Sequence, residues 1–162
     1  MEGAELIGTM ALHATRNLST RRTDSTNTPM PDNPTQIEIR IQTEPIDVAA
    51  EYASLGTPQS GGRVIFTGCV RDREANAEID HLDYEHYAGM AEKELNRLAA
   101  EACDKWDLIV LRVVHRVGRV EVPDESVVIS VASKHSPAAF EAARFMIDEL
   151  KKSVPIWKTA PK

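Results

Sequence analysis

Lys151 and Lys158, both near the end of the chain, are the side chains best equipped by type and setting for chemistry on an anion. The stretch AAFEAARFMIDELKKS carries apolar residues at three-and-four spacing and is read as an amphipathic helix. With Phe140 set at zero and about 100° of turn per residue, Ile147 falls at roughly 340° and Lys151 at roughly 20°. Lys151 therefore emerges at the border of an apolar stripe that holds Phe140 and Ile147 and also takes in Ala139, Ala143, Met146 and Leu150. A lysine there can lay its stem on the surface and keep its ammonium in water. It can equally be a partly desolvated amine, able to act as acid, base or nucleophile. Lys158 follows Pro155, Ile156 and Trp157, where a proline and a large aromatic can brace an extended segment. More cations stand at predicted strand ends. Arg71 and Arg73 close one strand, and Lys134 and His135 close another, just before a helix that opens at Pro137. Helix starts and strand ends favour anions, so these clusters together predict a pocket for phosphate or carboxylate.

The rest of the chain makes that cluster informative. The formal net charge is -6 over 162 residues, the opposite of the basic balance of a general nucleic-acid binder. No apolar run approaches the ~18 to 20 residues that span a bilayer. The opening residues lack the basic-then-apolar order of a secretory signal, so the cytosol is the expected compartment. No glycine-rich phosphate loop, HExxH helix or GxSxG elbow occurs. His81 and His86 lie on one predicted strand with side chains to opposite faces and no third ligand, and His115 reads as a hydrogen-bonded sheet residue. No metal and no cofactor is expected. Cys69, in a β-branched run, and Cys103, in a helical pattern, are too far apart for a ligand spacing and read as reduced structural residues.

These side chains need a frame. Residues 1–35 are rich in Ser, Thr, Asn, Asp and Pro and have no sustained period, which predicts a disordered extension with Met30 as a candidate start. From residue 36 to 162 a single domain is expected. QIEIRIQT alternates as a half-buried strand, PIDVAAEYASL reads as a short helix, and GGRVIFTGCVR as a buried strand. DREANAE is a polar connection, IDHLDYEHY a strand and AEKELNRLAAEACDKW an amphipathic helix. LIVLRVVHRVG is a strand, VEVPDES a turn, SVVISVAS a buried strand, and the last helix gives way at Pro155 to an extended tail. Paired strands broken by helices predict an α+β fold, two layers with a mostly antiparallel sheet and packed helices.

Four segments in this order resemble the large, catalytic subunit family of molybdopterin synthase: FTGCVRD, LDYEHYAGMAEKEL, VVHRVGRVEVPDESVVISVASKH and AFEAARFMIDELKKSVPIWK. The resemblance covers about Ile37 to Lys158. It implies a hammerhead-type α+β domain that forms a homodimer, with a small ubiquitin-like sulfur-carrier subunit docked on each copy to make a heterotetramer. The carrier's C-terminal Gly-Gly thiocarboxylate would enter the pocket. Two sulfurs would pass to cyclic pyranopterin monophosphate (precursor Z), giving the dithiolene of molybdopterin. By the same resemblance Lys151 and Lys158 are the catalytic lysines, Arg71 and His135 hold the anionic pterin, with His135 reaching across the dimer, and Phe66 is a pocket wall. Lys134 is a further candidate for substrate charge. Ser136, where the family usually carries arginine, leaves a rival open: a paralogue that binds the carrier without turnover.

Overall fold

The computed structural model describes residues 34–159, so the expected disorder of the N-terminal stretch and the Met30 start lie outside the described residues. A four-stranded sheet forms the centre, in the order β1 (Gln36–Gln42), β6 (Leu108–Arg116), β8 (Glu125–Ser133), β2 (Gly62–Cys69). β1 runs parallel to β6, and the other pairings are antiparallel. Alternation along the two central strands divides the core. Leu111, Val113, Val127, Ile129 and Val131 face the helices α2 (Met90–Lys105) and α3 (Ser136–Ser153). On the opposite face Val114 and Val128 meet Ile46, and Val110 and Ala132 meet Leu55, residues that flank the short helix α1 (Val48–Ala53). A strand buried on both faces reads as a continuous apolar run, which is why LIVLRVV and SVVISVA carry no polar alternation.

The predicted α+β class holds, and three connections prove more ordered than expected. DREANAE forms a tight hairpin, β3 (Arg73–Glu74) with β4 (Ala77–Glu78), turned by Ala75 and Asn76 at φ 49° and 70°. Two positive-φ residues match the type I′ turns that close two-residue hairpins; the sequence lacks the usual glycine there, which hid the turn. Part of the predicted VEVPDES turn belongs to β7 (Gly118–Glu121), and the expected extended tail is β9 (Ile156–Thr159). Both flank β5 (His81–His86), giving a second sheet in the order β7-β5-β9. Val70, Leu82 and Val120 form its own small apolar cluster.

Two further expectations are corrected by packing. The last helix buries Ala139, Ala142, Ala143, Met146, Ile147 and Leu150, whereas Phe140 is 64% exposed. At about 100° per residue the buried stripe is centred roughly 90° away from Phe140, so Phe140 and Lys151 share its flank. The strand GGRVIFTGC is an edge strand, half-buried rather than buried, and Cys69 at its end is exposed. Among the described residues no helix is long and apolar enough to cross a membrane.

Candidate functional site

The C-terminal end of β2, the start of β8, the small sheet and the last turns of α3 enclose a cleft of about 420 Å³. Phe66, Arg71, Lys151 and Lys158 all line it. Four residues separated by up to 92 positions thus reach one place, and different physics brings each there. Phe66 lies on the half-buried strand β2, and Arg71 follows Val70, which is buried and whose N–H donates to the Asp124 carbonyl. Lys151 projects from the flank of α3 beside Ile147, exposed to the cleft.

Lys158 is placed by register. β9 pairs antiparallel with β5 so that Lys158 stands directly opposite Tyr84 and Trp157 opposite Glu85. Opposed residues share a sheet face, so Lys158, Tyr84 and Leu82 all turn to the cleft, and each lines it. Trp157 turns to the other face and stays 45% exposed. The backbone ladder anchors this lysine, with the N–H of Tyr87 donating to the Pro155 carbonyl and the Thr159 hydroxyl donating to the Asp83 carbonyl; the aromatic expected to brace it does not.

Glu74 enters the cleft from the hairpin, and its carboxylate accepts from the Lys158 ammonium at 2.5 Å. That hydrogen bond, with the charges of Lys158 and Arg71, holds the Glu74 carboxyl below the usual carboxylate range. Lys151 has no ion-pair partner among the described residues within 4 Å. Among the described residues the site therefore holds three cations against one carboxylate, an anion-binding balance on an acidic protein. On the floor, Gly68 permits the close approach of β2 to β8, since a Cβ there would meet Val127 Cγ1 at 2.7 Å.

Lys134 and His135 are not in this cleft. β2 and β8 run antiparallel with Gly62 opposite Ser133 and Gly68 opposite Val127, so the two ends of β8 lie at opposite ends of the sheet. From Val127 to Ser133 is roughly 20 Å along a strand. Lys134 instead faces Asp107 at 3.7 Å, beside a separate cavity of about 490 Å³. His135 is the exposed N-cap residue of α3, its carbonyl accepting from the Ser133 hydroxyl at 2.5 Å. The single anion pocket expected from all four strand-end cations is thus divided, because antiparallel pairing sends the ends of neighbouring strands opposite ways. Arg73 also leaves the site, its guanidinium donating to Glu78 at 3.1 Å across the hairpin.

Glu74, Leu82, Tyr84, Ser126 and Cys69 also line the cleft, and none of them was expected there from the sequence. Leu82 and Tyr84 could have been found from two-residue alternation, but Glu74 carried no signal within a polar connection. Among the described residues no group of three or more His, Cys, Asp and Glu is placed to hold a metal; His81 turns to Asp80 and Asp83.

His115 backs the cleft wall. It is 4% exposed, its Nδ1–H donates to the Arg116 carbonyl at 2.8 Å, and its ring meets Tyr84 edge-on at 5.5 Å. Burial pulls its imidazole from 6.5 down to about 4, the nearby His86 adding to the shift and the carbonyl opposing it. Above pH 6.5 the ring is neutral in folded and unfolded chains alike; below it the unfolded chain takes up a proton that the folded one refuses until pH 4. Stability is expected to fall across that window by up to about 3 kcal/mol. Urea unfolding at stepped pH checks this, and His115→Gln should flatten the slope between pH 6.5 and about 5.5, the part of the window where few carboxylates titrate. An unchanged slope would assign the acid sensitivity to other groups.

Known proteins answer the geometry. Residues 41–153 match the family model described as MoaE protein. A molybdopterin synthase catalytic subunit of Mesorhizobium japonicum is 45% identical over 122 residues, 74% of this chain and 76% of that protein. A molybdopterin biosynthesis MoaE protein from Burkholderia ambifaria superposes with a TM-score of 0.69 at 38% identity, covering 76% of this chain and 82% of its own. The crystal structure of molybdopterin synthase from Staphylococcus aureus gives a TM-score of 0.70 at 35% identity, over 75% of this chain and 88% of its own. Alike in sequence and fold over about three quarters of its length, the chain belongs to the MoaE family, the catalytic subunits of molybdopterin synthase.

Proposed function

We propose that the cleft passes sulfur from the C-terminal thiocarboxylate of a small ubiquitin-like carrier to cyclic pyranopterin monophosphate, building the dithiolene of molybdopterin in the cytosol. The observation that carries this reading is the convergence of Lys151, Lys158, Arg71 and Phe66 in one cleft, in a chain of this family. Thiocarboxylate and cyclic phosphate are both anions, and a site with an excess of cations attracts both. When water, or a lysine amine whose adduct water then hydrolyses, adds to the carrier's carbonyl carbon so that its C–S bond can break, negative charge develops on oxygen, where ammonium groups fixed in advance stabilise it. Lys151, on the flank of α3, and Lys158, on β9, are assigned to that carbon, as proton donors or through a transient adduct. Arg71 is assigned to the pterin's anionic group and Phe66 to the wall against which the ring lies. Sulfur arrives with the partner, so the chain needs no sulfur-bearing cysteine of its own.

The position of His135 supports a dimeric arrangement. It stands at the far end of the sheet from its own cleft, so a role toward the pterin requires a second copy of the chain. We therefore assign His135 to the neighbouring copy's cleft, in a homodimer carrying one carrier on each protomer. Lys134, beside Asp107, is left with no part in the cleft of its own chain.

Reconstitution tests the reading. The purified chain, thiocarboxylated carrier and cyclic pyranopterin monophosphate are expected to yield a pterin bearing two sulfurs, seen by mass spectrometry. Tight carrier binding without sulfur transfer would overturn it in favour of a docking paralogue.

A further inference from the structure

Glu74 is the only acid among the described residues that line the cleft, and it occupies one of the two lysines there. Its side chain is 25% exposed and that of Lys158 47%, so the pair sits at the cleft wall and is neither buried nor fully in water. The hairpin that carries it is short and well defined. Glu74 pairs with Ala77 and Arg73 with Glu78 across a turn held by Ala75 and Asn76 at positive φ, and the N–H of Ile79 donates to the Asp72 carbonyl at 3.0 Å. Alanine in the left-handed region is disfavoured by the contact of its Cβ with the backbone. The turn therefore delivers the carboxylate at a local conformational cost. The two lysines are unequal as a result: Lys158 is neutralised from within, while Lys151 has no ion-pair partner among the described residues within 4 Å.

We propose that Glu74 is an internal stand-in for the carrier's C-terminal carboxylate: it holds Lys158 while the cleft is empty, yields it to the incoming terminus, and reclaims it to release the spent carrier. The inference rests on the sulfur-transfer reading for the identity of the ligand and on the Lys158–Glu74 geometry for the device. Its physical basis is competition of two carboxylates for one ammonium. A substrate thiocarboxylate and a product carboxylate are both anions, so a cleft holding only cations would retain the product. Affinity differences of this kind are expressed mainly in the dissociation rate, and product release limits turnover in many enzymes. A carboxylate tethered within reach weakens both bound states and speeds departure, with no covalent step of its own.

Glu74→Gln removes the competing charge and keeps the side chain's size. By calorimetric titration, a ubiquitin-like carrier ending in a Gly-Gly carboxylate is expected to bind this variant about three- to fivefold more tightly than the parent chain, the size of a part-exposed ion pair. The same carrier lacking its last two glycines should bind both proteins equally. In turnover, KM for the carrier and kcat should fall together, a split that simple loosening of the hairpin would not produce. Equal or weaker binding of the intact carrier would overturn the proposal. If no carrier binds either protein, the sulfur-transfer reading fails, and a separate measurement still decides the device. With an amine-acylating ester and peptide mapping, labelling of Lys158 relative to Lys151 should rise at least threefold in Glu74→Gln, and added acetate should restore the protection. An unchanged ratio, or no effect of acetate, would overturn it.

Discussion

Replacing both Lys151 and Lys158 by alanine is expected to slow dithiolene formation by about three orders of magnitude while leaving the melting temperature nearly unchanged. Both side chains are exposed at the cleft rather than built into the core, so their loss removes charge and donors without opening a cavity. Taking one preorganised donor from a site of developing negative charge typically costs about 10²- to 10³-fold in rate. Residues that act on the same atom are not additive, so the double variant should fall only a little below the worse single one. Lysine-to-arginine replacements separate the two chemical roles. A guanidinium keeps the charge but is a poor nucleophile and holds its proton, so recovery in Lys151→Arg or Lys158→Arg would point to charge stabilisation, and no recovery to an amine that must give up a proton or bond to carbon. Single-turnover measurement with saturating carrier keeps binding out of the comparison. A double alanine variant forming dithiolene within threefold of the parent rate would sink the assignment of both lysines.

The largest expected effect on stability lies on the other side of the molecule. Glu51, 5% exposed at its side chain, receives Arg112 at 2.9 Å and also Arg40, and both arginines reach Glu38 as well. The pair joins α1 to β1 and β6, whose register sets Glu38 opposite Arg112. Glu51→Ala leaves Arg112, itself only 19% exposed at its side chain, with a single acidic partner among the described residues, one that is 41% exposed. Breaking a buried pair by removing one member costs about 3 to 5 kcal/mol, a large fraction of the 5 to 15 kcal/mol typical of a domain. Urea unfolding should show the midpoint moving down, and sulfur transfer per folded molecule should be unaffected, because neither Glu51 nor Arg112 lines the cleft. A loss below ~1 kcal/mol would mean that the arginines turn out to water once Glu51 is gone. Together the two experiments separate what holds the fold from what performs the reaction.

Much of the frame was legible in the chain. β6 and β8 declare themselves as unbroken β-branched runs, and α2 and α3 through three-and-four spacing, because burial of apolar surface dominates these elements and periodicity records it directly. The elements that went unread were the small ones. β7, β9 and the β3–β4 hairpin are two to four residues long, too short for any period, and pairing with a distant partner makes them strands. The two-residue hairpin closes on Ala75 and Asn76 without glycine, so local propensity pointed away from it.

The site divides in the same way. The amino-acid sequence alone supplied the candidates for the chemistry: two lysines near the end of the chain, an arginine after a strand, and the segments by which Lys151, Lys158, Arg71 and Phe66 resemble the family. It determined little about which of them meet. Helical spacing placed Lys151 near the apolar stripe, but only the packing of α3, with Phe140 left in water, showed which flank of the helix borders the cleft. Only the β5–β9 register turned Lys158 toward the site and Trp157 away from it. Antiparallel pairing of β2 with β8 carried Lys134 and His135 to the far end of the sheet, although they sit at a strand end just as Arg71 does. And Glu74, silent in the sequence, became the partner of Lys158 because a tight turn aimed it there. Residue type is a local property, but a charge acts on what lies within a few ångströms, and that distance is set by how strands far apart in the chain pair and in which direction they run.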